Sequence, residues 1–398
     1  MATRIYVPCD TTALSMGADE VAALIAHYAG IRGVDIELVR NGSRGLFWLE
    51  PLVEVETATG RIGYGPVEQD DIPGLVEAGL FEGQSDHPRF LGPVADIPYL
   101  KRQQRLTFSR IGITDPLSIA DYRAHGGFDG LDKALLLSPQ AIVDEVKASG
   151  LRGRGGAAFP TGIKWQTVHD EPWQQQKYIV CNADEGDSGT FADRLAMECD
   201  PYMLIEGMTI AGLAVGATQG FIYLRSEYPV AHRILEEAIH RAEAEGYLGD
   251  DVRGSGRAFH LEVRLAAGAY ICGEETSLLE SLEGKRGLVR AKPPLPAIKG
   301  LFGQPTVVNN VLSFAAVPFI LAQGGQAYAD YGMGRSRGTL PIQLAGNIRQ
   351  GGLWRQPEGN PGRLWWWHLL GPAHESGSGG RPADGLHARE SVGHAHGL

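Results

Sequence analysis

GLRGRGGAAFPTGIKW, Gly150 to Trp165, is the stretch on which the reading of the fold turns. Within it Gly153-Arg-Gly155-Gly-Ala-Ala158 meets the loose G-x-G-x-x-A dinucleotide pattern. An ordinary Rossmann site needs a strand before the glycines, whereas here Ser138-Pro139 opens an amphipathic helix that Gly150 closes. The Rossmann reading is therefore rejected. The chemistry survives it: glycines let backbone N–H groups approach an anion, and Arg152, Arg154 and Lys164 place positive charge beside them. A phosphate or a planar cofactor suits such a loop, and a Gly-rich turn with solvated basic residues is the plain alternative.

Downstream, strand and helix patterns alternate. KYIVCNA, a helical LIEGMTIAGLAVGA, GFIYLRSEY, a charged amphipathic helix from Val230 to Glu245 and FHLEVRL follow one another, which argues for an α/β fold with a mixed or parallel sheet. The first of these strands ends in NADEGD. That places Asn182, Asp184, Glu185 and Asp187 where open α/β sheets bind ligands. Carboxylates so close together bind a cation or accept hydrogen bonds from ligand hydroxyls and ring N–H groups; a solvated acidic turn is the bland alternative. With a basic glycine loop just upstream, ribityl or ribose hydroxyls are the better partners.

After the strand at 259 to 265 comes AAGAYICGEETSLLESLEGKRG, which delivers Glu274 and Glu275 into a helix start, a position where carboxylates also serve simply as caps. The following VRAKPPLPAIKGLFGQPTVVNNV reads as a loop made rigid by prolines, carrying Lys292 and the pair Asn309-Asn310. Asparagine amides offer both donors and acceptors, as a flavin ring edge requires.

Upstream, residues 1 to about 80 hold a short β-like start, an apolar helical pattern from Ala18 to Ala29 and a β pair in LFWLEPLVEVET and GRIGYGPV, the order of a small α/β domain. Gln84 to Pro98, broken by Gly, Pro and Asp, reads as a linker, and residues 100 to 137 as a connecting segment. From about Leu353 the character changes: this last part holds five of the twelve His and four of the seven Trp, without periodicity. It reads as a disordered tail or as the product of a reading-frame change.

At 398 residues with 43% apolar and 21% charged residues, the chain has the composition of a multidomain globular protein. A formal net charge of -11 excludes a general affinity for nucleic acid. The longest apolar runs are too short to span a bilayer, and the start lacks an export signal, so no membrane insertion and a cytoplasmic location are expected. Cysteines 9, 181, 199 and 272 form no C-x-x-C pair, so neither zinc nor an iron–sulfur cluster is signalled.

Taken in order and at these spacings, GLRGRGGAAFPTGIKW, CNADEGDSGTFADR, GAYICGEETSLLESLEGKRG, KPPLP and PTVVNN resemble the family of the flavin-bearing subunits of respiratory complex I, over roughly residues 140 to 352. The resemblance implies a non-Rossmann α/β domain that binds FMN and NADH in one pocket. Carried over by motif, Gly153, Arg154, Gly155, Lys164, Asn182, Asp184, Glu274, Asn309 and Asn310 would hold FMN, and Phe159, Glu185, Asp187, Glu275 and Lys292 would face NADH. No catalytic acid or base and no metal ligand is implied. Thr167 and Leu295 stand where some members carry aromatic residues, and Ala158 replaces a common glycine.

Asp187 in DEGDSG is similar to soluble formate dehydrogenases and bidirectional hydrogenases rather than to complex I, and IYVPCDTTALSMGADEVA with the β pair resembles the start of the beta (diaphorase) subunit of NAD-dependent formate dehydrogenases. That narrower resemblance implies a thioredoxin-like domain without a cluster at 1–83, a linker and connecting segment at 84–137, the FMN/NADH domain at 138–335, the start of a truncated β-grasp-like domain at 336–352 and an atypical tail at 353–398. The expected partners are a molybdenum and iron–sulfur catalytic subunit and a small [2Fe–2S] subunit. The family's own [4Fe–4S] cluster is expected to be absent, because its cysteines are missing. The same module of a hydrogenase or of complex I, and a non-catalytic remnant, are the competing expectations.

Overall fold

A computed structural model describes residues 2–84 and 86–343. The expected beginning of a β-grasp-like domain falls partly, and the atypical tail wholly, outside the described residues.

The first unit runs β1 (Thr3–Tyr6), α1 (Thr11–Ser15), α2 (Ala18–Arg32), β2 (Ile36–Val39), β3 (Val53–Thr57), β4 (Gly60–Tyr64), α3 (Ile72–Glu77) and β5 (Phe90–Pro93). Its five-stranded sheet has the order β2-β1-β3-β4-β5. β1 and β2 pair in parallel and the other neighbours antiparallel. Val21, Ala22, Ile25 and Ala29, spaced at helical intervals, put one face of α2 onto Ile5, Val53, Val55 and Tyr64. Two strands here were not anticipated. β2 is only four residues long, and β5 lies inside the stretch read as a linker. Gly92 and Pro93 obscure its pattern, yet they pair with Gly63 and Ile62 at the rim of the sheet, where proline is tolerated.

The segment read as a connection is in fact core of the main body. α4 (Pro98–Lys101) leads to α5 (Ile119–Ala124) and α6 (Asp129–Leu136), and Tyr122, Phe128 and Leu131 are buried in the large hydrophobic cluster. Their anchor is a polar residue. Buried Glu206 accepts hydrogen bonds from the Tyr122 hydroxyl (2.5 Å), the Phe128 N–H (2.9 Å) and the Leu131 N–H (2.9 Å).

The helices α7 (Pro139–Ala148) and α8 (Thr161–Asp170) flank the glycine loop. Ser138 caps α7 through the N–H of Ala141, and Gly150 takes φ 64° just beyond it, as expected of a helix stop. Then come β6 (Tyr178–Ala183), α9 (Ala192–Cys199), α10 (Pro201–Val215), β7 (Gln219–Leu224), α11 (Pro229–Ala244), β8 (His260–Leu265), α12 (Glu275–Leu282), α13 (Pro296–Lys299), β9 (Thr306–Asn310) and α14 (Val311–Ala315). The helix α10 is buried over its entire length.

The sheet of the main body is parallel throughout, with the order β8-β7-β6-β9. From β6 the chain steps outward to β7 and β8, then returns to the opposite side of β6 as β9. The reversal lies between β6 and β9, and open parallel sheets bind ligands beyond the carboxyl ends of strands at such a point. PTVVNN, read as part of a proline-stiffened loop, is therefore largely a strand: its alternate side chains face protein on both sides, which removes the polar alternation that would have revealed it.

Candidate functional site

β6 and β9 pair so that Cys181 faces Asn309 and Asn182 faces Asn310. The acidic strand end and the asparagine pair, far apart in sequence, are thus one step apart in space.

Each asparagine amide is oriented by a second side chain. Asn309 Oδ1 accepts from Trp165 Nε1 at 3.1 Å, and Asn310 Nδ2 donates to Asp193 Oδ2 at 2.5 Å while its Oδ1 caps α14 through the Leu312 N–H at 2.9 Å. Asn182 Nδ2 donates to the Gly273 carbonyl at 2.7 Å, tying the end of β6 to the turn before α12.

The glycine loop lies against this edge. The Arg154 N–H donates to Ser313 Oγ (2.9 Å), and a Cβ on Gly155 would stand 3.1 Å from Asn310 Cβ, close enough that Asn310 would have to give way by a few tenths of an ångström. Ala158 adopts φ 51°, the conformation that glycine supports without strain. The arginines expected to supply charge are engaged within the protein: Arg152 Nε donates to the Ala158 carbonyl at 2.6 Å, and Arg154 holds the Tyr328 hydroxyl at 2.9 Å. Lys164 reaches β9, donating to the Val308 carbonyl at 2.7 Å with Glu275 at 3.5 Å. Burial lowers its pKa, opposed by Glu275.

The paired glutamates divide their tasks. Glu274 is the N-cap of α12, its Oε2 accepting from the N–H groups of Thr276 (2.8 Å) and Ser277 (2.9 Å). Lys292 bridges both carboxylates, 3.1 Å from Glu274 and 2.7 Å from Glu275. Burial raises the Glu274 pKa, but bonds from Thr276, Ser277 and Lys292 outweigh it and hold the carboxyl below its ordinary value. Phe159 (48% exposed) and Leu295 are solvent-facing apolar groups of the same loops.

The acidic residues of DEGD differ in what they can offer a ligand. Glu185 is buried and bonded to the first turn of α9, accepting from the N–H groups of Asp193 and Arg194 (both 3.1 Å) and from the Tyr228 hydroxyl (3.1 Å). Asp187 accepts from the exposed Tyr270 hydroxyl at 2.7 Å. Asp184 Oδ2 is buried without a hydrogen-bond partner, and burial, with Glu227 nearby, pushes its pKa up to about 6. A buried oxygen left open, with amides of fixed orientation and a glycine-rich loop packed against Asn310, fits a hydroxyl-rich planar cofactor such as FMN.

Sequence reading missed Asp193, Trp165 and Tyr270. Tyr270 had a signal in Gly268, two residues before it, and Gly186 is its counterpart, since a Cβ there would meet the ring at 2.6 Å. Asp193 and Trp165 act from behind other side chains, which no local pattern reports.

Fold and site together define an α/β module whose candidate site lies beyond the carboxyl ends of β6 and β9, at the reversal point of a parallel sheet. Residues 146–319 match the family model described as the Nuo51 FMN-binding domain. The NADP-reducing hydrogenase subunit HndC of Solidesulfovibrio fructosivorans is 48% identical over 259 residues, 65% of this chain and 52% of that protein. The matching subunit of the NADH-quinone oxidoreductase of Aquifex aeolicus is 48% identical over 240 residues (60% and 56%), and that of Escherichia coli 45% over 249 (62% and 56%). Among solved structures, an NAD+-reducing [NiFe]-hydrogenase in the H2-reduced state aligns with TM-score 0.53 and 28% identity, over 88% of this chain and 58% of that one. The chain spans a little over half the length of the curated relatives it matches. The proteins matched are named as subunits of an NADP-reducing hydrogenase and of NADH-quinone oxidoreductases. No helix among the described residues is long and apolar enough to cross a membrane.

Proposed function

We propose that this chain is an FMN-bearing module that exchanges hydride with NAD(H). The observation that carries the reading is the convergence of Asn182 on β6, and of Asp184 just past its end, with Asn309 and Asn310 on β9, beside the glycine loop at Gly153 and Gly155. Lys164 supplies a cation held against β9, and Asn309 and Asn310 supply amides of fixed orientation for a flavin edge. Phe159, Glu275 and Lys292, with Asp187, form the nicotinamide nucleotide side of the same pocket, while Glu185, bonded to the first turn of α9, stands behind it. Bound FMN supplies hydride acceptance from nicotinamide and release of electrons one at a time. The protein's part is orientation within hydride distance.

The finer reading is the diaphorase subunit of an NAD-dependent formate dehydrogenase, in which formate and NAD+ yield CO2 and NADH with a molybdenum subunit and a small [2Fe–2S] subunit as partners. Asp187 in DEGDSG supports it, as does the β1-α2-β2 then β3-β4-α3 order of the first unit, which suits a thioredoxin-like domain. The corresponding module of an NAD-reducing hydrogenase is supported as well, by the solved structure that aligns over 88% of this chain.

The test is the purified chain reconstituted with FMN. A flavin spectrum at one FMN per chain, bleached by NADH and restored by a dye acceptor, is expected. A protein that takes up no flavin and reduces no dye overturns the reading. Co-purification with a formate-oxidising or a hydrogen-oxidising subunit separates the two finer readings.

A further inference from the structure

Asn310 meets two partners that impose the same orientation on its amide: Nδ2 donates to Asp193 Oδ2, and Oδ1 accepts from the N–H of Leu312. The second bond is local, made within the cap of α14. The first reaches across the pocket wall to α9, whose first turn also holds Glu185 through the Asp193 N–H. Asp193 is only 5% exposed, so it stands behind the site rather than in it. No positive side chain is paired with it among the described residues; its neighbours are Asn310, the carboxylate of Glu185 and the buried thiol of Cys181.

We infer that Asp193 is a positioning residue for flavin binding, fixing through its carboxyl which donor and which acceptor Asn310 presents to the cofactor. The inference rests on the FMN reading above. With Nδ2 committed once to Asp193 and Oδ1 once to Leu312, the amide keeps one N–H and one lone pair for a ligand, each in a fixed place. Without Asp193 the amide loses the partner on its nitrogen side and can turn. Gly155 strengthens the case, because its backbone packs on Asn310 Cβ and would follow any such shift. Burial, and then the charge of Glu185, drive the Asp193 carboxyl well above its ordinary pKa. An asparagine side chain has the shape of the carboxyl, and its amide oxygen can accept from Asn310 Nδ2 where Asp193 Oδ2 does. Asp193→Asn should therefore replace it, whereas Asp193→Ala should not.

FMN titrations of the full chain, followed by quenching of flavin fluorescence, test this with Asp193→Ala, Asp193→Asn, Asn310→Ala and the double variant Asp193→Ala/Asn310→Ala. Asp193→Ala is expected to weaken FMN binding about tenfold, a lost buried hydrogen bond, and Asp193→Asn to stay within about threefold of the unaltered protein. The double variant is expected to bind no more weakly than Asn310→Ala alone, because Asp193 acts through Asn310. Asp193→Leu, of similar volume but with no acceptor, takes the place of Asp193→Ala if that variant does not fold. Losses that add, or an asparagine variant as weak as the alanine one, overturn the inference and leave the FMN reading standing. An unaltered protein that takes up no FMN overturns both.

Discussion

The ammonium of Lys292 stands 2.7 Å from Glu275 and 3.1 Å from Glu274, so the loop carrying the consecutive prolines is fastened to the first turn of α12. Burial lowers the Lys292 pKa, but the two carboxylates outweigh it and raise it overall. The cluster is about one third exposed on the lysine side. Its value for folding is therefore that of a surface pair, about 0 to 1 kcal/mol. Lys292→Ala is expected to leave the melting temperature nearly unchanged while raising the KM for NADH about tenfold, the loss of one charged contact to a ligand. Steady-state dye reduction, with melting measured in parallel, checks both.

Asp184 gives a pH dependence of opposite sign to that of an ordinary salt-bridged carboxylate. Its pKa is raised from 3.8 to about 6 in the folded chain. Below the lower value both states are protonated and the group contributes nothing. Between the two values the unfolded chain alone ionises, so stability falls as pH rises, and above about 6 the penalty is constant. Asp184→Asn is expected to be the more stable protein above pH 6 by about 1 kcal/mol, allowing for solvent around a half-buried group, with the advantage gone below pH 4. Denaturant curves across that range measure it. FMN uptake should weaken in the same variant, since one of the two carboxylate oxygens becomes an amide nitrogen, which donates and cannot accept.

Gly155→Ala addresses the glycine edge. The added methyl would press on Asn310, which is held by Asp193 and Leu312 and has little freedom to retreat. Flavin binding is expected to weaken about tenfold or more, with a melting shift of only a few degrees. An FMN titration beside a thermal melt separates the two effects.

Glu206→Ala tests whether residues 119 to 136 belong to the main body. Three donors, those of Tyr122, Phe128 and Leu131, lose their buried acceptor. A destabilisation of about 3 kcal/mol or more is expected. Hydrogen exchange should then rise first in α5 and α6. A variant that unfolds at the concentration of urea that unfolds the unaltered protein would show that those helices hold on without Glu206.

Much of this architecture is legible in the residues, and the exceptions share a cause. KYIVCNA, GFIYLRSEY and FHLEVRL are each strands, and Ser138 and Gly150 bound a helix, because burial and capping leave marks in single segments. β2, β5 and β9 leave no such mark: β2 is only four residues long, β5 sits at an edge among glycine and proline, and β9 is buried on both faces, so it does not alternate. The same contrast holds in the site. Asn182, Asn309 and Asn310 carry their chemistry openly, while Asp193 and Trp165 matter through the orientation they impose on those amides. Orientation is a property of pairs, and its partners lie more than a hundred residues apart along the chain.

The place of β9 in the sheet also sets a timetable. It is the last of the four parallel strands to be synthesised, yet it docks against the first, β6, and brings Asn309 and Asn310 with it. While a ribosome is still extending the chain through β7 and β8, the edge of β6 that will form the pocket is bare. On the FMN reading, the cofactor's site is complete only once β9 has closed the sheet.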